Sequence, residues 1–244
     1  MKQIIFPDQK TYQDVSALHR SDSLIRLRQT FLDIIRGHSV PFAENIIKTN
    51  DWVNYLYYAC LVRRLVPDQG ALIIDWGGLY GHVTKILQTL GYENIFNYLL
   101  HKMPHYPLFK EALHLPTLWG EDSNSLSLET DSIDVFISSG VLEHVREDGI
   151  GDEERILKEI GRVLKGRGLL FIWNLPAKLG TSELLAMIRG KWHHQFRYWQ
   201  KDILYLLRQT GFELLYLDKH KFLPGSLLNF FRKKDRSPGP AKGR

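Results

Sequence analysis

Residues 71–91 read ALIIDWGGLYGHVTKILQTLG, and this stretch decides the fold. It opens with a short apolar run that ends at Asp75, which is typical of a strand buried on both faces. A glycine-rich turn follows, and apolar residues then recur at helical spacing until Gly91. The stretch therefore predicts a strand, a tight turn and a helix in succession, the unit from which parallel sheets are built.

The alternation of strand and helix continues toward the C-terminus. Helices are predicted near 105–112, 156–164 and 200–210, and strands near 95–99, 115–119, 133–138, 169–173 and 212–217. Residues 227–231 either supply a seventh strand or leave the sheet with six. Because parallel strands need long crossovers, the pattern predicts an α/β fold, a doubly wound, mostly parallel sheet of six or seven strands.

The sequence also predicts three segments. Residues 1–68 read as helical, with Leu24, Leu27 and Phe31 on one face of a helix that ends at Gly37. We expect this N-terminal helical segment to act as a lid beside the sheet domain at 69–231. Residues 232–244 are basic and rich in proline and glycine, so we expect a disordered tail.

Composition narrows the classes of function. A single cysteine, Cys60, excludes a disulfide framework, and no cluster has metal-ligand spacing, so no metal site is predicted. The tail carries six basic side chains and one acidic one, so its charge of +5 accounts for the whole net charge of the chain. The other residues sum to zero and offer no basic binding face, so we expect no nucleic-acid partner. No apolar run approaches the ~20 residues that span a bilayer. We therefore expect a cytoplasmic protein without an integral membrane segment.

Two classes of cofactor compete for the turn at 75–82. The dinucleotide pattern Gly-x-Gly-x-x-Gly fails from either Gly77 or Gly78. The alternative, Asp-x-Gly-x-Gly-x-Gly, matches at Asp75, Gly77 and Gly81 and fails only at Leu79. This pattern resembles the first motif of class I S-adenosylmethionine (SAM)-dependent methyltransferases.

The resemblance covers about residues 50–220 and points to the ubiquinone/menaquinone methyltransferase-like branch, with a type 11 methyltransferase domain. Its further pieces follow in the family's order: Asp122–Asp134, SSGVLEHV at 138–145, the helix and strand at 156–172, and 194–213. It implies SAM as the cofactor and a small molecule as the substrate. The cofactor-binding residues that it implies are Asp75, Trp76, Gly77, Gly78, Gly81, Asn97, Tyr98, Asp122, Ser123, Ser139 and Gly140.

Two departures from the family pattern shape the expected chemistry. Leu79 replaces the middle glycine, and Asn97 and Tyr98 stand where the family has an acid that binds the ribose hydroxyls. We expect these two side chains to offer hydrogen bonds in its place.

The expected reaction is methyl transfer to a small molecule, with an oxygen as the acceptor atom. A base helps to remove the proton of a hydroxyl acceptor, and histidine suits that role near neutral pH. His144 and His194 are the candidate catalytic residues. The alternative is a catalytically silent binding or scaffold protein with a degenerate SAM site. The sequence leaves the acceptor and the oligomeric state open.

Overall fold

The architecture comes from a computed structural model of the 244-residue chain. It describes residues 9–40, 47–100, 103–147, 151–178, 188, 195–218 and 226–233, with backbone only at 49–50, 216–218 and 226–233. The chain divides into two compact units, Ile4–Gly120 and Glu121–Arg244.

Three helices open the N-terminal unit: α1 (Gln9–His19), α2 (Asp22–His38) and α3 (Thr49–Leu65). Helix α2 forms where the spacing of apolar residues predicts it, and it buries Leu24, Leu27, Phe31 and Ile35 on one face. It ends at Ser39, whose left-handed backbone caps the last turn. The prediction of a helical start to the chain is thus confirmed for these ranges.

The second half of this unit is a βαβαβ succession. It consists of β1 (Ile73–Trp76), α4 (His82–Thr89), β2 (Ile95–Leu99), α5 (Tyr106–Leu113) and β3 (Thr117–Trp119). All pairs are parallel, in the order β3-β2-β1, and Asp75 of β1 stands opposite Asn97 of β2. All four residues of β1 are buried, as its continuous apolar run predicts.

A row of aromatic rings lies inside the N-terminal unit. Trp52 meets Phe31 edge to face, Phe31 meets Phe109 of α5, and Phe109 stacks on Tyr80 at a centroid distance of 4.3 Å. Each ring therefore fills space beside the next, and offset or edge-on pairs of this kind add to the free energy of burial. The row links α2 and α3 with the turn that follows β1.

The C-terminal unit contains β4 (Ile133–Ser139), a 3-10 turn (Leu142–His144), α6 (Glu153–Val163), β5 (Leu164–Pro176), α7 (Gln200–Gln209), β6 (Phe212–Asp218) and β7 (Ser226–Lys233). Strands β4 and β5 are parallel, whereas β7 pairs antiparallel with both β5 and β6. The order within this unit is β4-β5-β7-β6.

Helix α6 shows why this part of the sequence folds as predicted. Asp152 caps its start by accepting hydrogen bonds from the amides of Glu154 and Arg155, a contribution of about 1 kcal/mol. Its apolar face, which includes Ile156, Leu157 and Ile160, is buried. The amphipathic pattern and the cap act together to fix both the start and the orientation of the helix.

The α/β fold with a mostly parallel sheet is confirmed, and the described residues contain seven strands. The structure corrects two boundaries. Strand β5 runs from Leu164 to Pro176 rather than 169–173, and β7 includes Arg232 and Lys233, which the sequence assigned to the basic tail. The backbone pairing of β7 with β5 and β6 carries these two charged residues into the sheet. Residues 234–244 lie outside the described part.

Candidate functional site

The turn between β1 and α4 has an unusual backbone. Gly77, Leu79 and Gly81 all have positive φ, at 65°, 47° and 75°. The Gly77 amide donates to the Tyr98 carbonyl, which ties the start of the turn to β2, and the Gly81 amide donates to the Gly78 carbonyl. Left-handed residues alternate with others, so the chain reverses sharply within a few residues.

Two of the glycines are also required by close packing. A Cβ on Gly78 would lie 2.5 Å from Asp75 Oδ2 and 2.5 Å from Asn97 Oδ1. A Cβ on Gly81 would lie 2.6 Å from Leu115 Cδ1. Since contacts this short do not occur for real side chains, the turn needs glycine at both positions. The missing side chains at Gly78 and Gly81 thus let the backbone of the turn lie against its neighbours.

Asp75 is the penultimate residue of β1, and its side chain is fully buried. Its Oδ2 accepts hydrogen bonds from the Thr84 amide at 3.0 Å and the Thr84 hydroxyl at 2.8 Å, so the carboxyl holds the first turn of α4. Oδ1 is buried without a hydrogen-bond partner among the described residues. Burial raises the pKa of Asp75 to about 6, because it outweighs the two hydrogen bonds from Thr84.

Asn97 and Tyr98 lie in β2, the strand on which the sequence predicts them. Both side chains are buried, and the Asn97 amide nitrogen donates to the Leu79 carbonyl and to the Tyr106 hydroxyl, each at 3.2 Å. The Tyr98 ring packs against the backbone of Gly120. Strand β2 thus holds both side chains inside the protein, and their contact with the ribose stays a prediction.

Sequence reasoning missed two aromatic neighbours of the turn. His82, the first residue of α4, is buried, and its ring meets Tyr55 of α3 at 4.2 Å between centroids. Burial lowers the pKa of His82 to about 3, so the ring is neutral near neutral pH. The sequence signal for its burial was its position directly after Gly81. The first residue of a helix is buried when another helix packs over it, as α3 does here through Tyr55.

In the C-terminal unit, Asp122 and Ser123 follow β3 and are half-buried. The Asp122 carboxylate accepts from the Asn124 amide at 2.8 Å, which shapes a local turn. Ser139 ends β4, and its hydroxyl accepts from the Asn174 side chain at 3.1 Å. Gly140 follows with φ 64° and donates its amide to the Trp173 carbonyl. The ends of β4 and β5 are therefore tied to each other.

His144 closes the 3-10 turn after β4 and is exposed. Its Nδ1 lies 2.5 Å from Glu147 Oε2, a partner that the sequence did not reveal. Behind this turn, buried Glu153 forms an ion pair with Arg146 and accepts a hydrogen bond of 2.8 Å from the Tyr198 hydroxyl. These contacts hold the segment 142–147 against α6 and the chain that follows β5.

Trp76 and His194 are the two other residues that the sequence predicts at the site. Trp76 is buried in β1, so its ring belongs to the interior. His194 lies outside the described residues. No group of three or more His, Cys, Asp and Glu side chains that could hold a metal ion occurs in the part of the chain that is described. Within the same ranges, no helix has the length and apolar character needed to cross a membrane.

Comparison with known proteins fits this geometry. Residues 74–172, which contain the glycine turn and the segment after β4, match the family model of the methyltransferase domain. SAM is the methyl donor of this class of domain, as the sequence resemblance implies.

One curated relative of this chain is a methyltransferase. The chain is 27% identical over 208 residues to arsenite methyltransferase of Mus musculus, which covers 75% of this chain and 53% of that protein. The chain thus spans about half the length of this curated relative.

Solved structures of low sequence identity share the fold. One is the 1,6-didemethyltoxoflavin-N1-methyltransferase of Burkholderia thailandensis with bound S-adenosylhomocysteine, at 13% identity and TM-score 0.58, covering 96% of this chain and 94% of that one. Another is the [4+2]-cyclase SpnF, at 16% identity and TM-score 0.57, covering 75% and 82%. The fold of the methyltransferase domain therefore also occurs in an enzyme named for a different reaction.

Proposed function

We propose that this protein is a SAM-dependent methyltransferase that transfers a methyl group to an oxygen of a small molecule. The turn from Trp76 to His82 supports this proposal most. It has left-handed backbone at three residues and glycines where a side chain would collide with its neighbours. It also follows a buried strand within residues 74–172, which match the methyltransferase family model. Such a turn brings bare backbone and the N-terminus of a helix to the end of a strand, where ligands of α/β proteins bind.

A small-molecule acceptor is supported by the relatives. Arsenite and 1,6-didemethyltoxoflavin, the compounds in their names, are small molecules. Neither name specifies an oxygen acceptor, so that part of the proposal comes from His144. The proposal assigns the cofactor to the glycine turn, with Asp122, Ser123, Ser139 and Gly140 as further contacts that the family resemblance implies.

His144 is the proposed base for the hydroxyl proton. When bound, SAM supplies a reactive methyl group on a positively charged sulfur, so the protein mainly positions the acceptor and receives its proton. Glu147 Oε2 accepts a hydrogen bond from the Nδ1–H of His144, which selects the ring tautomer in which Nε2 is the basic nitrogen. His194 stays a second proposed catalytic residue.

The first experiment measures cofactor binding and methyl transfer together. Isothermal titration calorimetry with S-adenosylhomocysteine should give a saturable signal, and tritiated SAM should label a compound in the small-molecule fraction of a cell extract. Gly77→Val should weaken binding about tenfold or more, because valine resists the left-handed backbone at this position. Binding without any transfer would instead favour the catalytically silent alternative, whereas equal affinity in a folded Gly77→Val protein would contradict the assignment of the turn.

The second experiment tests the base. His144→Ala should lower kcat on the order of 10²-fold while the affinity for S-adenosylhomocysteine stays within about twofold, because a base acts on the acceptor proton and not on the cofactor. His38→Ala, which removes an exposed histidine at the end of α2, is the matched control and should leave kcat unchanged. An unchanged kcat in His144→Ala would exclude His144 as the base.

A further inference from the structure

We propose that Asn97 is a positioning residue that fixes the glycine turn through the carbonyl of Leu79. The inference rests on the proposed function only in its consequence for cofactor affinity. Its structural part concerns the turn itself, and that part can be measured without any ligand.

The first step is that Leu79 needs an external constraint. Leu79 has φ 47°, a backbone conformation that L residues rarely adopt, and its side chain is 40% exposed. Packing of the side chain therefore does little to hold it. The Asn97 side-chain amide, which donates to the Leu79 carbonyl at 3.2 Å, comes from the rigid interior of β2 and can hold the backbone instead.

The second step is that Asn97 is itself anchored. Its amide nitrogen also donates to the Tyr106 hydroxyl, which lies 2.5 Å from the Thr117 hydroxyl, and Thr117 donates to the Leu115 carbonyl at 3.0 Å. The side chain of Leu115 is the one that packs on Gly81. The network thus supports the turn at Leu79 by hydrogen bonds and near Gly81 by packing.

The third step explains why an amide suits position 97 and a carboxylate does not. Only the amide can donate to the Leu79 carbonyl, since a carboxylate only accepts. Asn97 Oδ1 and Asp75 Oδ2 also lie on the same side of Gly78, each 2.5 Å from the position of its missing Cβ. A second carboxyl here would face the buried Asp75 carboxyl, whose pKa is set by burial and by Thr84 and by no cation among the described residues, and two like groups in a buried place repel.

The binding experiment compares three variants with one control. Asn97→Asp, Asn97→Leu and Tyr106→Phe should each weaken S-adenosylhomocysteine binding by roughly fivefold or more, since each removes part of the constraint on the turn. Tyr92→Phe is the control, because its buried hydroxyl donates to the Val66 carbonyl in the same unit but not to this network. It should lower thermal stability to a similar degree and leave the affinity unchanged. Equal loss of affinity in Tyr92→Phe would overturn the proposal.

The ligand-free experiment is amide hydrogen exchange of the peptide that spans 76–82. Asn97→Leu should accelerate exchange there, and Tyr92→Phe should not. A double variant tests whether Asn97 acts on the backbone of Leu79. Glycine adopts positive φ freely, so a protein that already carries Leu79→Gly has less need of the constraint. Asn97→Leu should therefore accelerate exchange much less in the Leu79→Gly protein than in the wild-type protein. Unchanged exchange in Asn97→Leu overturns the proposal. Faster exchange with no ligand binding by the wild-type protein would support it and contradict the proposed function instead.

Discussion

At Leu79, a single residue shows how a departure from a motif becomes compatible with the fold. The exposed side chain leaves the interior of the turn free, and the left-handed backbone is the one that glycine would have adopted. The partner of this residue is Asn97, 18 positions away in sequence. The sequence identified both departures, but not that they are in contact, because the pairing of β1 with β2 brings them together.

A prediction at the residue scale compares a crowded glycine, Gly81, with Gly37, which has open space around it. Gly81→Ala should lower the free energy of unfolding by about 2 kcal/mol or more, because its φ is 75° and the new Cβ would press on Leu115. Gly37→Ala in α2 is the control, with no atom within 4 Å of the new Cβ, and should raise stability by about 0.5–1 kcal/mol. Urea denaturation measures both, and equal effects would contradict the role assigned to Gly81.

At the scale of an element, β1, the turn and α4 form one structure, with a titratable group on each side of the turn. Asp75 lies near the end of β1 and His82 is the first residue of α4, and burial shifts the pKa of each away from its ordinary value. The shifts act in opposite directions on stability. In the folded protein, Asp75 holds its proton up to about pH 6. Its contribution to the free energy of unfolding is therefore fully present below pH 4 and is lost as pH rises to 6. His82, with a pKa of about 3, loses its contribution as pH falls below 6.5.

The pH dependence of stability tests this opposition. Each group contributes a slope of about 1.4 kcal/mol per pH unit, and the two cancel between about pH 4 and 6. Relative to wild type, Asp75→Asn should therefore show an unfolding free energy that rises with pH across this window. His82→Leu should show one that falls. Urea denaturation at several pH values measures the differences, and parallel curves for wild type and Asp75→Asn would exclude the raised pKa of Asp75.

At the scale of the whole molecule, the elements that the sequence predicted best are those with strong internal patterns. Strand β2 has the predicted bounds, and α6 buries the apolar stripe that the sequence indicates. Strand β5 is longer than predicted because pairing with β4 and β7 extends beyond its apolar centre. Strand β7 was only one of two possibilities, because its pairing with β5 and β6 depends on residues far apart in sequence.

In the candidate site too, the sequence predicts what depends on local pattern and misses what depends on contacts between distant residues. Its glycines and Asp75 were visible in the sequence, since a turn between a strand and a helix needs particular residues at fixed spacing. Glu147, Tyr106 and the interior position of Asn97 were not, because they depend on which side chains the folded backbone brings together. Contacts of this kind carry no local periodicity, so no window of sequence indicates them.

The position of β7 between β5 and β6 has a consequence for synthesis on the ribosome. Strand β6 leaves the ribosome first, yet its neighbour in the described sheet is β7, which comes later in the chain. Until residues 226–233 have emerged, both β5 and β6 present an unpaired backbone edge, which is the condition under which nascent chains associate wrongly. Chaperone protection would matter most during this interval, and it would become unnecessary once the two antiparallel ladders have formed.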